Sequence, residues 1–135
     1  EVHRERAQQF ALRTGARATL RLMARELEQA KSSSVSVDGG RLAFNLVGTL
    51  SASGVGDGPP IAYRLEGETL VRDRPDQGAP TGILASCTGF SVERTALPFG
   101  TLYTLTLARA GHAAGYGEPI PWFVERVTVT KMNDG

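Results

Sequence analysis

Apolar residues recur at Leu12, Ala16, Leu20, Met23, Leu27 and Ala30, at spacings of four and three that form one stripe along a helix. Residues 1–31 contain no proline and only one glycine, Gly15, among strong helix formers, so the pattern predicts a single amphipathic helix over 1–31. Its end is marked. Lys31 sits in the last turn, and then Ser32-Ser33-Ser34 and Asp38-Gly39-Gly40 break the period. Its start is not marked: no Ser, Thr, Asp or Asn precedes the periodic run, and Glu1-Val2-His3-Arg4 is already compatible with helix. A helix that is ended but not begun is expected to continue upstream of Glu1, where there is room for a membrane segment.

Beyond residue 35 the period changes from 3.6 to 2. Val35-Ser36-Val37 alternates briefly, and Arg41-Leu42-Ala43-Phe44-Asn45-Leu46-Val47 puts Leu42, Phe44 and Leu46 on one face. Residues 48–60, rich in Gly, Ser and Pro, read as a loop. Ile61, Tyr63 and Leu65 then share a face, Glu66-Gly67-Glu68 reads as a tight turn with Gly67 supplying a positive φ, and Thr69-Leu70-Val71-Arg72 returns. Residues 73–82 read as loop. Ile83-Leu84-Ala85 and Gly89-Phe90-Ser91-Val92-Glu93-Arg94 are two short strands or one interrupted strand. The clearest alternation is Thr101-Leu102-Tyr103-Thr104-Leu105-Thr106-Leu107, with Tyr103, Leu105 and Leu107 on one face. A Gly-rich connection over 109–121 leads to a closing strand over 122–130, with Phe123, Val127 and Val129 inward. One polar face per strand implies an antiparallel sheet covered on one side, and the helix stripe is the cover. The expected fold is α+β: a long N-terminal amphipathic helix (1–31) packed on an antiparallel β-sheet (35–130), in one domain spanning 1–135.

The 135-residue length suits one domain with a real core. Apolar residues make up 41% and charged residues 21%, and the net charge is +1; this balance selects no strongly acidic or basic partner. No apolar run approaches the roughly eighteen residues of a membrane span. Cys87 is the only cysteine, which rules out an internal disulfide and a cysteine-based zinc site.

Catalytic chemistry finds little support. His3 and His112 lie in no nucleophile or metal motif, and Cys87 has no basic neighbour in sequence, so it reads as a small buried residue. Gly54-Val55-Gly56-Asp57-Gly58 has spaced glycines, but no helix follows to complete a phosphate cradle. Asp57, Asp73 and Asp76 are too few oxygen ligands for calcium. No enzyme, cofactor or metal is expected. The sharpest polar feature is Arg13, Arg17, Arg21 and Arg25, spaced by four on the helix. That row drifts about 40° per step and forms a slanting basic ridge, with like charges at a mildly unfavourable spacing. Three readings stand: a solvated face whose stems shield the sheet edge, an electrostatic contact with acidic residues of a neighbouring subunit, or phosphate contact with DNA.

The segment Arg17-Ala18-Thr19-Leu20-Arg21-Leu22-Met23-Ala24-Arg25-Glu26-Leu27-Glu28-Gln29-Ala30 resembles the solvent-side half of the N-terminal helix of type IV pilin-like proteins. It is most similar to minor pilins and pseudopilins of the PilW-like and type II secretion J-type groups. Ile61-Ala62-Tyr63-Arg64-Leu65-Glu66-Gly67-Glu68-Thr69-Leu70-Val71-Arg72 is similar to their recurrent hairpin. Phe90-Ser91-Val92 and Glu125-Arg126-Val127-Thr128-Val129-Thr130 take the places of later strands, so the resemblance covers about residues 6–130. The family's prepilin-peptidase site and its Phe-initiated apolar segment are not among these residues, and Glu5 is not the family's fifth-position glutamate. A C-terminal disulfide loop is impossible with one cysteine, as in many J-type members.

The resemblance implies a pilin-like fold and a structural minor subunit of a type IV pilus or type II secretion filament, acting in assembly initiation near the tip. It implies other pilins or pseudopilins as partners. It also implies an inner-membrane anchor through an apolar half-helix upstream, with residence in the inner membrane and periplasm before assembly and in the filament after it. Within that role, Leu20, Met23 and Leu27 are expected in the helix–sheet core, and Arg13, Arg17, Arg21 and Arg25 are candidates for inter-subunit contact. A filament-tip module for DNA uptake or adhesion, using the loops 48–60 and 109–121 or the arginine ridge, is the alternative.

Overall fold

A computed structural model describes residues 2–38, 40–51, 54–112 and 119–132. A helix α1 (Val2–Glu28) is followed by eight strands: β1 (Ser36–Asp38), β2 (Arg41–Ser51), β3 (Gly54–Glu66), β4 (Thr69–Asp73), β5 (Thr81–Leu84), β6 (Cys87–Leu97), β7 (Gly100–His112) and β8 (Pro119–Met132). All pairings are antiparallel between sequence neighbours. The strands divide into a five-stranded sheet, β1-β2-β3-β4-β5, and a three-stranded sheet, β6-β7-β8. This overturns the expected plan of a long helix on one antiparallel sheet: the chain is mostly β, in two sheets. The meander breaks between Leu84 and Cys87, where Ser86 adopts φ 58°. A left-handed residue turns the chain there, and among the described residues β5 pairs with β4 and β6 with β7, while Cys87 N–H still reaches Glu68 O at 2.8 Å. Alternation assigns faces to residues but carries no mark of such a break.

The helix ends three residues before Lys31, for a tertiary reason. Its last turn tightens through Gln29 N–H to Glu26 O and Ala30 N–H to Leu27 O, both 3.1 Å. The chain then leaves helix to pair with β2: Lys31 N–H reaches Asn45 O at 2.8 Å, Val47 N–H reaches Gln29 O at 3.0 Å, and Ala30 bridges Leu46. Competing sheet bonds, rather than a glycine cap, satisfy the backbone there.

Residues 48–60 were expected as a loop and are instead mainly paired strand, with residues 52 and 53 outside the described set. The ladder continues through Val47↔Asp57 to Ser51↔Gly54, with two register shifts. Gly48 and Gly58 permit this close approach, since a Cβ at either would lie 2.7 Å from backbone atoms of the facing strand. Pro59 and Pro60 fall beyond the end of the β3–β4 ladder, so their missing N–H groups cost no bond to β4. Similarly, β7 and β8 extend into the connection expected over 109–121, of which 113–118 lie outside the described residues. The β3–β4 turn has Gly67 at φ +59°, at the first central position, where a two-residue type II′ turn requires it.

One apolar cluster joins α1 and β2–β8, with Val37 of β1 packed against it. It includes Leu20, Met23, Ala24 and Leu27 of α1, Leu42 and Phe44 of β2, Ile61 and Tyr63 of β3, Leu70, Leu84, Phe90 and Val92, Tyr103, Leu105 and Leu107 of β7, and Val129 of β8. Leu20, Met23 and Leu27 are almost wholly buried, and each buried side chain of this size contributes about 1.5–3 kcal/mol. Val127 packs against the cluster from its margin, while the side chain of Phe123 lies outside the described set.

Candidate functional site

The helix and the three-stranded sheet run side by side. Arg13 and Arg17 meet Glu125, and Lys131 Nζ donates to Glu28 O at 3.1 Å. Fifteen helical residues and six strand residues each span about 20 Å, so α1 follows β8 in the same direction. The odd-numbered residues of β8 (Glu125, Val127, Val129, Lys131) are buried or half-buried on the helix side, and the even-numbered ones from Val124 to Met132 are exposed.

The four candidate arginines divide into two pairs. Arg13 Nη1 lies 3.1 Å and Arg17 Nη2 3.4 Å from Glu125 Oε1. Arg21 and Arg25 are exposed and make no ion pair among the described residues. Because the arginine side chains on Glu125 are 45% and 57% exposed, each pair adds at most about 1 kcal/mol. Glu125 therefore orients the start of the ridge and offsets part of its charge, but it does not anchor the fold.

The anchoring groups are ones that sequence spacing did not single out. Arg109, 7% exposed, donates from Nε to Ala85 O at 3.0 Å, from Nη2 to the same oxygen at 2.5 Å, and from Nη1 to Leu12 O at 2.8 Å. It buckles the middle of α1 to the corner where the two sheets part. Burial lowers its pKa, with Cys87 opposing that shift, and carbonyl dipoles hold the charge, with no carboxylate paired to it among the described residues. Gly15 makes room: a Cβ there would lie 2.9 Å from Arg109 Nη1 and 3.3 Å from Leu84 Cδ1. The one detectable signal was this glycine in the middle of a strong helix, which marks a close approach.

A second anchor lies near the end of α1. Glu26 receives Arg72 Nε at 3.0 Å and Arg72 Nη2 at 2.5 Å, and Tyr63 Oη also donates to it. The Glu26 and Arg72 side chains are 12% and 19% exposed. The hydrogen bond to Glu26 is the main cause that raises the Arg72 pKa. Helix, β3 and β4 thus share one carboxylate, in a bidentate arrangement that fixes both direction and distance.

Cys87 is fully buried, and its Sγ lies 3.5 Å from Leu84 O. Burial pushes its thiol pKa up, against the opposing charge of Arg109, so the group is a neutral thiol at neutral pH and a poor nucleophile. A folded-state pKa raised above the unfolded value stabilises fully below the ordinary thiol range and is lost as pH climbs through the folded value. Stability is therefore expected to fall above about pH 8.5, the ordinary thiol value. A disulfide reagent at pH 8 is expected to react at least about a hundredfold faster in denaturant than in buffer; equal rates would contradict the burial.

Among the described residues, no group of three His, Cys, Asp or Glu side chains could hold a metal ion, and no helix is long and apolar enough to cross a membrane. No family model, curated protein or solved structure matches this chain.

Proposed function

We propose that this protein is a structural subunit, a minor pilin or pseudopilin of a type IV pilus or type II secretion filament, working in assembly initiation near the tip. In this role an upstream apolar half-helix anchors it in the inner membrane before assembly, and α1 joins that anchor to the β body. The supporting observation is how α1 is held. Ala16, Leu20, Met23 and Leu27 are buried against the body, but Ala7, Phe10 and Ala11 are exposed, with Phe10 at 72%. A large aromatic on a helical segment that the body does not cover suits a surface that neighbours bury. The helix and hairpin phrases described above add to this, and neither requires the single-sheet architecture that the two sheets replace.

A photo-crosslinking residue at Phe10 in the full-length protein, in its own cells, tests this. Adducts with other filament subunits are expected from Phe10 and not from the equally exposed Phe99, at 51%, on the β6–β7 turn. Adducts from neither site, in cells with working filaments, would oppose the proposal.

A further inference from the structure

We propose that the outer edge of β8 is a strand-addition site for an extended acidic segment of a partner protein, with its carboxylates read by Arg17, Arg21 and Arg126. A cleft of about 220 Å³ lies between α1 and β8, lined by Arg17, Leu20 and Arg21 from the helix and by Glu125, Arg126 and Val127 from the strand. Successive strand residues point to opposite faces. Three in a row can line one cleft only at the strand's edge, so the cleft opens where α1 overhangs that edge. β8 pairs with β7 on one side and with no strand on the other among the described residues. An unpaired edge presents a row of N–H and C=O groups that template another strand.

Two of the usual protections, proline and a bulge, are missing over 124–131, while Glu125, Arg126 and Lys131 put charge on the strand. No proline falls there, and the β7–β8 register shift lies farther along, at Arg109/Gly111. Val127-Thr128-Val129-Thr130 is strongly strand-forming. Charge decides the occupant. Three arginines border the cleft against one glutamate, which Arg13 and Arg17 already engage. A second copy adding edge to edge would bring two such arginine sets together, so self-pairing is opposed. An acidic segment is complementary on both faces: alternate side chains meet Arg17 and Arg21 on the helix side and Arg126 on the outer side. About six residues cover the open edge. The site stands on this geometry alone and does not depend on the filament reading.

The test uses a capped heptapeptide of alternating valine and glutamate as probe, with the whole chain as target, followed by amide exchange and fluorescence anisotropy. The expected result is saturable binding that slows exchange of outward-facing amides within 124–130 at least about tenfold. Affinity is expected to drop at least about tenfold when alternate peptide nitrogens are methylated, when lysine replaces glutamate, or in Arg17→Glu/Arg21→Glu, and to weaken with salt. Arg41→Glu, on β2, is expected to change nothing. The peptide controls leave the protein unaltered, so a poorly folding variant does not rescue the proposal. Binding with unchanged β8 exchange, equal affinity for the methylated or lysine peptide, or self-association through β8 would each overturn it.

Discussion

Arg109→Met is expected to destabilise the protein by about 3 kcal/mol and to lower its melting temperature by about 10 °C. Methionine keeps the stem's packing but leaves the Ala85 and Leu12 carbonyls without the donors that now reach them at 2.5–3.0 Å. Gly15→Ala sharpens the test because its sign is unusual. In an open helix, alanine in place of glycine stabilises by about 1 kcal/mol. Here the new Cβ would lie 2.9 Å from Arg109 Nη1, an atom pinned by its bond to Leu12 O. A loss of about 1–2 kcal/mol is expected instead, typical of overpacking. In an Arg109→Ala background most of that penalty disappears, which gives a coupling of about 1 kcal/mol or more in a double-mutant cycle. Urea denaturation measures the four proteins of the cycle and Arg109→Met. A stabilising Gly15→Ala in the parent would show that the buckle does not hold the helix.

Glu26→Ala is expected to cost about 2–3 kcal/mol, because removing one partner of a largely buried pair strands the other. Arg72 and Tyr63 both lose their acceptor, and Tyr63 is fully buried. Glu26→Gln keeps the shape and one acceptor oxygen, so about half the loss is expected. Arg64 supplies the internal control. It pairs with Glu66 and Asp73, whose side chains are 57% and 27% exposed, and Arg64→Met is expected to cost under about 1 kcal/mol. Equal losses at Glu26 and Arg64 would contradict the distinction between an anchoring pair and a surface pair.

Much of this fold is legible in the sequence. The 3.6-residue stripe locates the buried face of α1, with Ala16, Leu20, Met23, Leu27 and Ala30 each at most 3% exposed. The two-residue period places Leu42, Phe44, Ile61, Tyr63, Tyr103, Leu105 and Leu107 in the core. What the periods do not carry is which strands share a sheet. The break falls at Ser86, which has a positive φ, and serine rarely signals one. Glycine was misleading at residues 48–60, because Gly48 and Gly58 serve close approach between paired strands rather than a flexible loop. At the candidate site, the arginine spacing was visible, but its partner Glu125 is more than a hundred residues away. Arg109 and Glu26 were hidden for the same reason: long-range hydrogen bonds to backbone and side chains leave no local pattern.

The N-terminal sequence and intact mass of the native protein, purified from its own cells, test the filament reading most directly. A processed, N-methylated phenylalanine is expected, followed by about twenty apolar residues, the length of a membrane span, running without a break into α1. A native N-terminus at or near Glu1, or an upstream segment with no such apolar run, would contradict it.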